Sequence, residues 1–405
     1  MLPANLNELV PKHIQELIDS EVTESLILEY KQQLPSDQAD EKRTFLYNIA
    51  AMANTAGGDF VFGVVDRKGI DNQSTGIANS LSGMKLPNPQ SEISRLENLI
   101  RDGIAPRLLG VAIQLVRCDN GDVLVIRVPR SWNKPHMVTF GGADRFFARA
   151  ATGRYPMRVD EIGRAFSEQN ELSQAIDNWR IHRVALVENK RGPVKLSGEV
   201  SLLFHVIPSS TFTRNPLRES WDVPQIEKLG IYVPRGGTRE RYNADGFLRF
   251  GDSGDPSGAE GYTQIFRSGA IEYADSTLFF PPLANVPPMI FGQVIEQEIV
   301  NCFEDAINRL RRQSRSEPIY VGFSLIGIKD KSFYSTIGRL AFSRKTAIAD
   351  DSFTSPEVFV DINETEMKPF RKTLLPLIDT LWQVAGLAGT PFRLKGEWCP
   401  FANIQ

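Results

Sequence analysis

Residues 24–31 read ESLILEYK, which places two carboxylates and a lysine inside an otherwise apolar run. Side chains alternate along an extended chain, so Leu26, Leu28 and Tyr30 share one face and Ile27, Glu29 and Lys31 the other. Glu29 and Lys31 therefore stand one pleat apart on the same side. Glu24 lies five residues before Glu29, and an odd spacing on a straight strand points to opposite faces. The two carboxylates reach one point only if the chain bends or bulges between them. The charges either form a solvated ion pair or carry chemistry.

Outward from this stretch, the pattern alternates between helix and strand. EKRTFLYNIAAMANTAGG (41–58) has Phe45, Ile49, Met52 and Ala53 at helical spacing, with Gly57 and Gly58 as a stop. DFVFGVVD (59–66) reads as a short buried strand ending at Asp66. SEISRLENLIRDGI (91–104) is a second helix, with Ser91 as its N-cap. VAIQLVR and DVLVIRVPR form a hairpin across CDNGD, and DRFFARAATGRYPM (144–157) is a further strand closing in a glycine-bearing loop. A long helical stretch follows from Val159. The expected organisation is α+β, with a mixed sheet flanked by helices over 1–170, a helical linker over 171–195 and a second α+β domain over 196–405. That second part opens on VSLLFHVIP, has a flexible stretch at Gly251–Gly261, and carries no legible chemical motif.

The chain has 405 residues, 41% hydrophobic and 23% charged, with a formal net charge of -3. No global basic field advertises a nucleic-acid partner, although a local patch disappears in such a sum. Cys118, Cys302 and Cys399 are far apart and form no CxxC, which argues against a disulfide framework or a structural zinc site. The N-terminus lacks the features of a signal peptide, and no apolar run approaches the roughly 20 residues that span a bilayer. A reducing cytoplasm is the simplest compartment. The dipeptide Gly-Lys is absent, so there is no P-loop.

Glu-x-Lys on a strand is the pairing used by PD-(D/E)xK nucleases, where the carboxylate holds a divalent cation and the lysine orients water. Glu24, Glu29 and Asp66 together would suit one or two hard cations such as Mg²⁺ or Mn²⁺. The bland alternative for Asp66 is a turn residue before RKG. Arg145, Phe147 and Arg149 alternate on one strand face. With Lys134, Arg154 and Arg158 these arginines are candidate phosphate ligands, since a planar guanidinium binds two oxygens. Phe146, Phe147 and Tyr155 could stack on unpaired bases, or be core.

Three segments together carry a resemblance. ESLILEYK, LYNIAAMANTAGGDFVFGVVDRKG and RFFARAATGRYPMRVDEIGRAF resemble, in order, the Schlafen AlbA-type domain, over about residues 15–170. The resemblance implies the fold first. It further implies a metal-dependent endoribonuclease cutting tRNA or rRNA, with Glu24, Glu29 and Asp66 on Mg²⁺ or Mn²⁺ and Lys31 beside them. A homodimer would supply the second lobe that animal relatives carry in one chain, and phage defence is a setting known for bacterial members. The alternative is a nucleic-acid-binding regulator or defence sensor without catalysis.

Overall fold

The computed structural model describes residues 2–3, 6–69, 73–142, 144–150, 153–212, 230–251, 258–280, 289–313, 317–334, 348–362, 367–394 and 397–399. Residues 252–257 of the stretch expected to be flexible lie outside that set. The architecture is α+β, in two compact units, Met1–Ser173 and Gln174–Gln313 with Glu317–Gln405.

The first unit is built on a sheet whose two faces are both covered. Helix α1 (Pro11–Asp19) precedes β1 (Leu28–Lys31), and α2 (Ala39–Asn54) leads into β2 (Gly57–Phe62). Strands β3 (Val64–Lys68) and β4 (Ser74–Leu81) form a bulged antiparallel ladder. Helix α3 (Pro89–Gly103) is capped by Asn88, whose side chain accepts from Ser91 N–H, so the cap lies three residues before the serine expected in that role. Next come β5 (Ile104–Ala105), β6 (Ala112–Cys118), β7 (Gly121–Pro129) and β8 (Met137–Val138). A hairpin of β9 (Arg145–Ala150) and β10 (Gly153–Pro156) closes the unit before α4 (Val159–Glu188).

The main sheet runs β1-β2-β7-β6, with β1 parallel to β2 at the edge and the other pairs antiparallel. Alternation along β2 decides what each face buries. Phe60 and Phe62 join Phe45, Leu46 and Ile49 of α2, with Leu124 and Ile126 of β7, in one core. Val61 joins Tyr30, Ile14 and Leu17 of α1, with Val123 and Val125, in another. Each fully buried Phe or Leu side chain contributes roughly 1.5–3 kcal/mol relative to exposure. Glu29 and Lys31 point to the α2 side, as the alternation requires. A second sheet, β10-β9-β8-β5, carries the arginine hairpin.

Two differences from the sequence reading have a physical cause. First, the alternating run read as extended from Leu26 becomes a strand only at Leu28. Leu26 and Ile27 are exposed, and Ser25 and Leu28 exchange backbone hydrogen bonds in a tight turn. Second, Gly57 and Gly58 do not stop α2, which ends at Asn54, but open β2. Gly58 sits at φ +147°, and a Cβ there would lie 2.4 Å from the Ile27 carbonyl oxygen. Glycine lets β2 approach the turn before β1 this closely.

The second unit is organised around an antiparallel sheet over one large apolar core. Its central strand, Ser201–Pro208, is buried along its length between Ile271–Asp275 and Ile319–Ile326. Helices α5 (Gly292–Arg312) and α6 (Met367–Val384) contribute Ile295, Ile299, Phe303, Leu377 and Trp382 to its core. Within this unit His205 is wholly buried, with Nε2 2.9 Å from Glu272, which also binds Arg183 through two hydrogen bonds and accepts from Tyr262. This is a paired core network of the kind that buried charge demands. No described helix is long and apolar enough to cross a membrane.

Candidate functional site

The turn at Ser25–Leu28 resolves the odd spacing in ESLILEYK. It folds the chain back so that Glu24 Oε1 accepts from Tyr30 N–H at 2.8 Å. That N–H lies on the free edge of β1, where no neighbouring strand would satisfy it. Glu24 is thus an edge cap as well as an acid. Burial pushes its carboxyl above the usual range and the Glu29 charge adds to the rise, while the Tyr30 N–H and the cations Lys31 and Arg149 offset part of it.

Glu29 is buried and held between two cations. Oε1 lies 2.5 Å from Lys31 Nζ, and Oε2 accepts from Arg149 Nη1. Burial alone would raise its pKa, but Lys31 and Arg149 outweigh that and hold it below the ordinary carboxylate value. Arg149 is itself buried and also donates to the carbonyls of Ser25, at 3.1 Å, and Leu28, at 3.5 Å. One guanidinium therefore fastens the turn, the strand and the acid together.

What aims Arg149 is the helix end ANT. Asn54 Nδ2 donates to the carbonyls of His136 (3.0 Å) and Phe147 (2.9 Å), and its Oδ1 accepts from His136 N–H at 2.7 Å. Thr55 Oγ1 accepts from Arg149 N–H at 2.9 Å. The hairpin is thus docked on the C-terminus of α2 by side chains that terminate the helix. Asn48, earlier on α2, accepts from Arg154 Nη1, and the Arg154 guanidinium lies over the Tyr47 ring at 5.7 Å. Asn48 and Asn54 were not singled out by the sequence reading. The available signal was two asparagines on the apolar side of a buried helix, where an unpaired amide is costly.

The expected site residues divide. Glu24, Glu29 and Lys31 come together, with Arg149 and Arg154 next to them. Asp66 stands on β3 at a bulge, opposite Ala78 of β4, while Gly76 of the same strand accepts from Glu24 N–H through its carbonyl. Asp66 shares the neighbourhood but not the cluster. Its Oδ2 is buried with no hydrogen-bond partner among the described residues. Arg145 and Arg158 are exposed, and Arg158 is 3.4 Å from Asp160. Two expected phosphate ligands are corrected. Lys134 is buried and bonded to Glu168 at 2.7 Å, and Arg149 is buried with Nη1 on Glu29 and Nη2 on the carbonyls of Ser25 and Leu28. Phe147 is likewise core, packed on Tyr47 at 4.1 Å between ring centres, whereas Tyr155 is exposed. Ala151 and Thr152 of the expected ATGRYP loop lie outside the described residues.

The carboxylates as they stand do not fit a divalent ion. Both Glu29 oxygens face cations, and Glu24 Oε1 is engaged by a backbone N–H. Among the described residues, no three His, Cys, Asp or Glu side chains are grouped to hold a metal. What the arrangement does provide is positive charge, with Lys31, Arg149 and Arg154 outnumbering Glu24 and Glu29.

Residues 24–158 match the family model described as Schlafen, AlbA_2. No curated protein matches the chain. Among solved structures, the crystal structure of the DIP2311 protein from Corynebacterium diphtheriae is 17% identical at a TM-score of 0.24, over 36% of this chain and 26% of that one. The solution NMR structure of the N-terminal domain of a Nitrosomonas europaea protein, described as related to the ATP-dependent DNA helicase RecG, is 21% identical at a TM-score of 0.25. That match covers 32% of this chain and 83% of the other. The segment that contains Glu24, Glu29, Asp66 and the arginine hairpin is therefore similar to the Schlafen, AlbA_2 family over residues 24–158.

Proposed function

We propose that the first unit is a nucleic-acid-binding module that grips the backbone of RNA or single-stranded nucleic acid through Lys31 and Arg154. The observation that carries this reading is the placement of Arg154. It is exposed, yet held by Asn48 and the Tyr47 ring, and Asn48 lines the same cavity as the half-exposed Lys31. A guanidinium fixed in this way loses less freedom when it meets a phosphate. Arg149 acts behind it as the group that keeps Glu29 neutralised, so that the carboxylate does not repel the strand. The similarity to the Schlafen, AlbA_2 model over 24–158 supports a nucleic-acid partner. The test is an electrophoretic shift of labelled tRNA at low and high salt, with wild type beside Arg154→Ala. Weaker retention by the variant supports the module, and equal retention refutes it.

A second reading, a metal-dependent endoribonuclease cutting structured RNA, is favoured by one observation. Asp66 Oδ2 is a buried acceptor without a described partner, close to where Glu24 is anchored. It requires Glu24 and Glu29 to leave their present partners. Fragments of tRNA formed with Mn²⁺, and absent both with EDTA and in Glu24→Ala/Glu29→Ala, would support it. No fragments from wild type would count against it.

A further inference from the structure

A cavity of about 350 Å³ opens between α2 and the end of β1, lined by Lys31, Leu34, Phe45, Asn48, Phe60 and Phe62 among others. We propose that it is a nucleobase pocket, which rests on the nucleic-acid reading above and specifies what that site recognises. Its volume falls at the lower end of the range for small-ligand sites, which begins near ~300 Å³.

The interior is apolar and aromatic. Phe45, Phe60 and Phe62 are nearly fully buried, with the Phe62 ring centre 6.3 Å from each of the other two. The little ring surface they leave open makes an apolar floor, and the uncharged plane of an unstacked base is the part of a nucleotide that suits it. One buried polar group lines the same space. Asn48 Oδ1 accepts from Arg154, and a guanidinium can only donate, so the oxygen is fixed by chemistry and Nδ2 is the remaining donor. A donor beside an aromatic floor is suited to a ring nitrogen or carbonyl on a base edge.

The mouth sets the direction of the strand. Gln33, Asp40, Glu41 and Thr44 are exposed there, with Lys31 half-exposed. Asp40 is paired with Arg43, and Glu41 accepts from Ser36 N–H. These carboxylates disfavour a phosphate on their side. Lys31 at the mouth and Arg154 on Asn48 leave the phosphates flanking the base a cationic approach. A base inside a duplex cannot enter, so the pocket selects single-stranded or flipped nucleotides.

The test compares a short fluorescein-labelled single-stranded RNA with the same backbone made abasic throughout, by anisotropy titration. Wild type is expected to bind the intact strand about tenfold more tightly, the scale of one base–aromatic stack. Thr44→Trp, at an exposed helix position, fills the mouth and should bring the intact strand down to the abasic affinity. Gln33→Trp, from the β1 side, should do the same. Unchanged circular dichroism and melting of both variants serve as the control for folding. Equal wild-type affinity for the two strands overturns the pocket. Binding of neither strand defeats the nucleic-acid reading instead, and calorimetric titration with nucleoside 5′-monophosphates then decides. Saturable binding abolished by Thr44→Trp keeps the site as a mononucleotide pocket, and no binding overturns it.

Discussion

Glu29→Gln and Arg149→Met break the same ion pair from its two ends, and they are not expected to cost the same. The Arg149 side chain is 4% exposed and that of Glu29 10%. Glu29→Gln leaves a buried guanidinium with only the carbonyls of Ser25 and Leu28 and a neutral amide. Breaking a buried pair in this sense costs about 3–5 kcal/mol, and the retained amide acceptor places this case near ~3 kcal/mol. Arg149→Met leaves Glu29 still joined to Lys31, which is 43% exposed and draws on solvent. The loss there is about 2 kcal/mol, chiefly from two carbonyls stripped of their donor. The double variant leaves neither charge stranded, so it should cost less than the sum of the singles by about 1–3 kcal/mol. Hydrogen–deuterium exchange of β2 and β7 peptides in a urea series isolates the first unit. The pH profile has a definite sign. Glu29 is held below its ordinary value of 4.5, so its contribution is full above that value and fades as pH falls through the lower folded value. Arg149→Met should weaken that acid dependence. Two singles each within about 1 kcal/mol of wild type, and additive, would refute the clamp.

Three further outcomes follow from the same geometry. Glu24→Gln keeps an acceptor for Tyr30 N–H and removes a charge that burial penalises, so thermal unfolding should show a change within about 0.5 kcal/mol or a gain, whereas Glu24→Ala should lose about 1–2 kcal/mol. Asn54→Ala strands one buried N–H and two carbonyls of the hairpin dock, and should cost roughly 3–4 kcal/mol and lower the melting temperature of the first unit by about 10 °C in calorimetry. His136 is buried, with Nδ1 2.7 Å from Pro106 O and Nε2 2.6 Å from Ser131 Oγ, and burial lowers its pKa below the ordinary 6.5. The unfolded chain takes up a proton that the folded one refuses, so the stability of the first unit should fall as pH drops from about 7 to 5.5, less steeply in His136→Asn. An identical slope in that variant would contradict the assignment.

Much of this site was legible in the sequence alone, and the remainder depended on tertiary partners. The alternation of Leu28, Glu29, Tyr30 and Lys31 placed acid and lysine on one face correctly, because a two-residue period is a local property. The turn at Ser25–Leu28 was anticipated only as a condition, since nothing in the apolar SLIL run marks it. Its cause is distant, in Gly58 pressing on Ile27 and in Arg149 holding the turn carbonyls. Lys134 and Arg149 looked like surface cations because composition shows charge and not burial. Their partners, Glu168 and Glu29, lie far away in sequence. Asn48, Asn54 and Thr55 sat in plain view inside the helix and the ANTAGG segment. Their roles became apparent only when the strand hairpin was docked on that helix end. In the second unit, His205 lies in the apolar VSLLFHVIP strand, where a core histidine is the expectation for an isolated imidazole. It is one, with Nε2 on Glu272 and Nδ1 unpartnered among the described residues.

The most direct test of the central claim is the salt dependence of RNA binding, for wild type and for Lys31→Ala/Arg154→Ala. Removing one cation that neutralises a phosphate reduces the slope of log K against log salt by about one. The account predicts measurable wild-type binding that weakens with salt, and a slope shallower by about two in the double variant. Wild-type binding with a slope that the double variant leaves unchanged, or no binding at low salt, would contradict it.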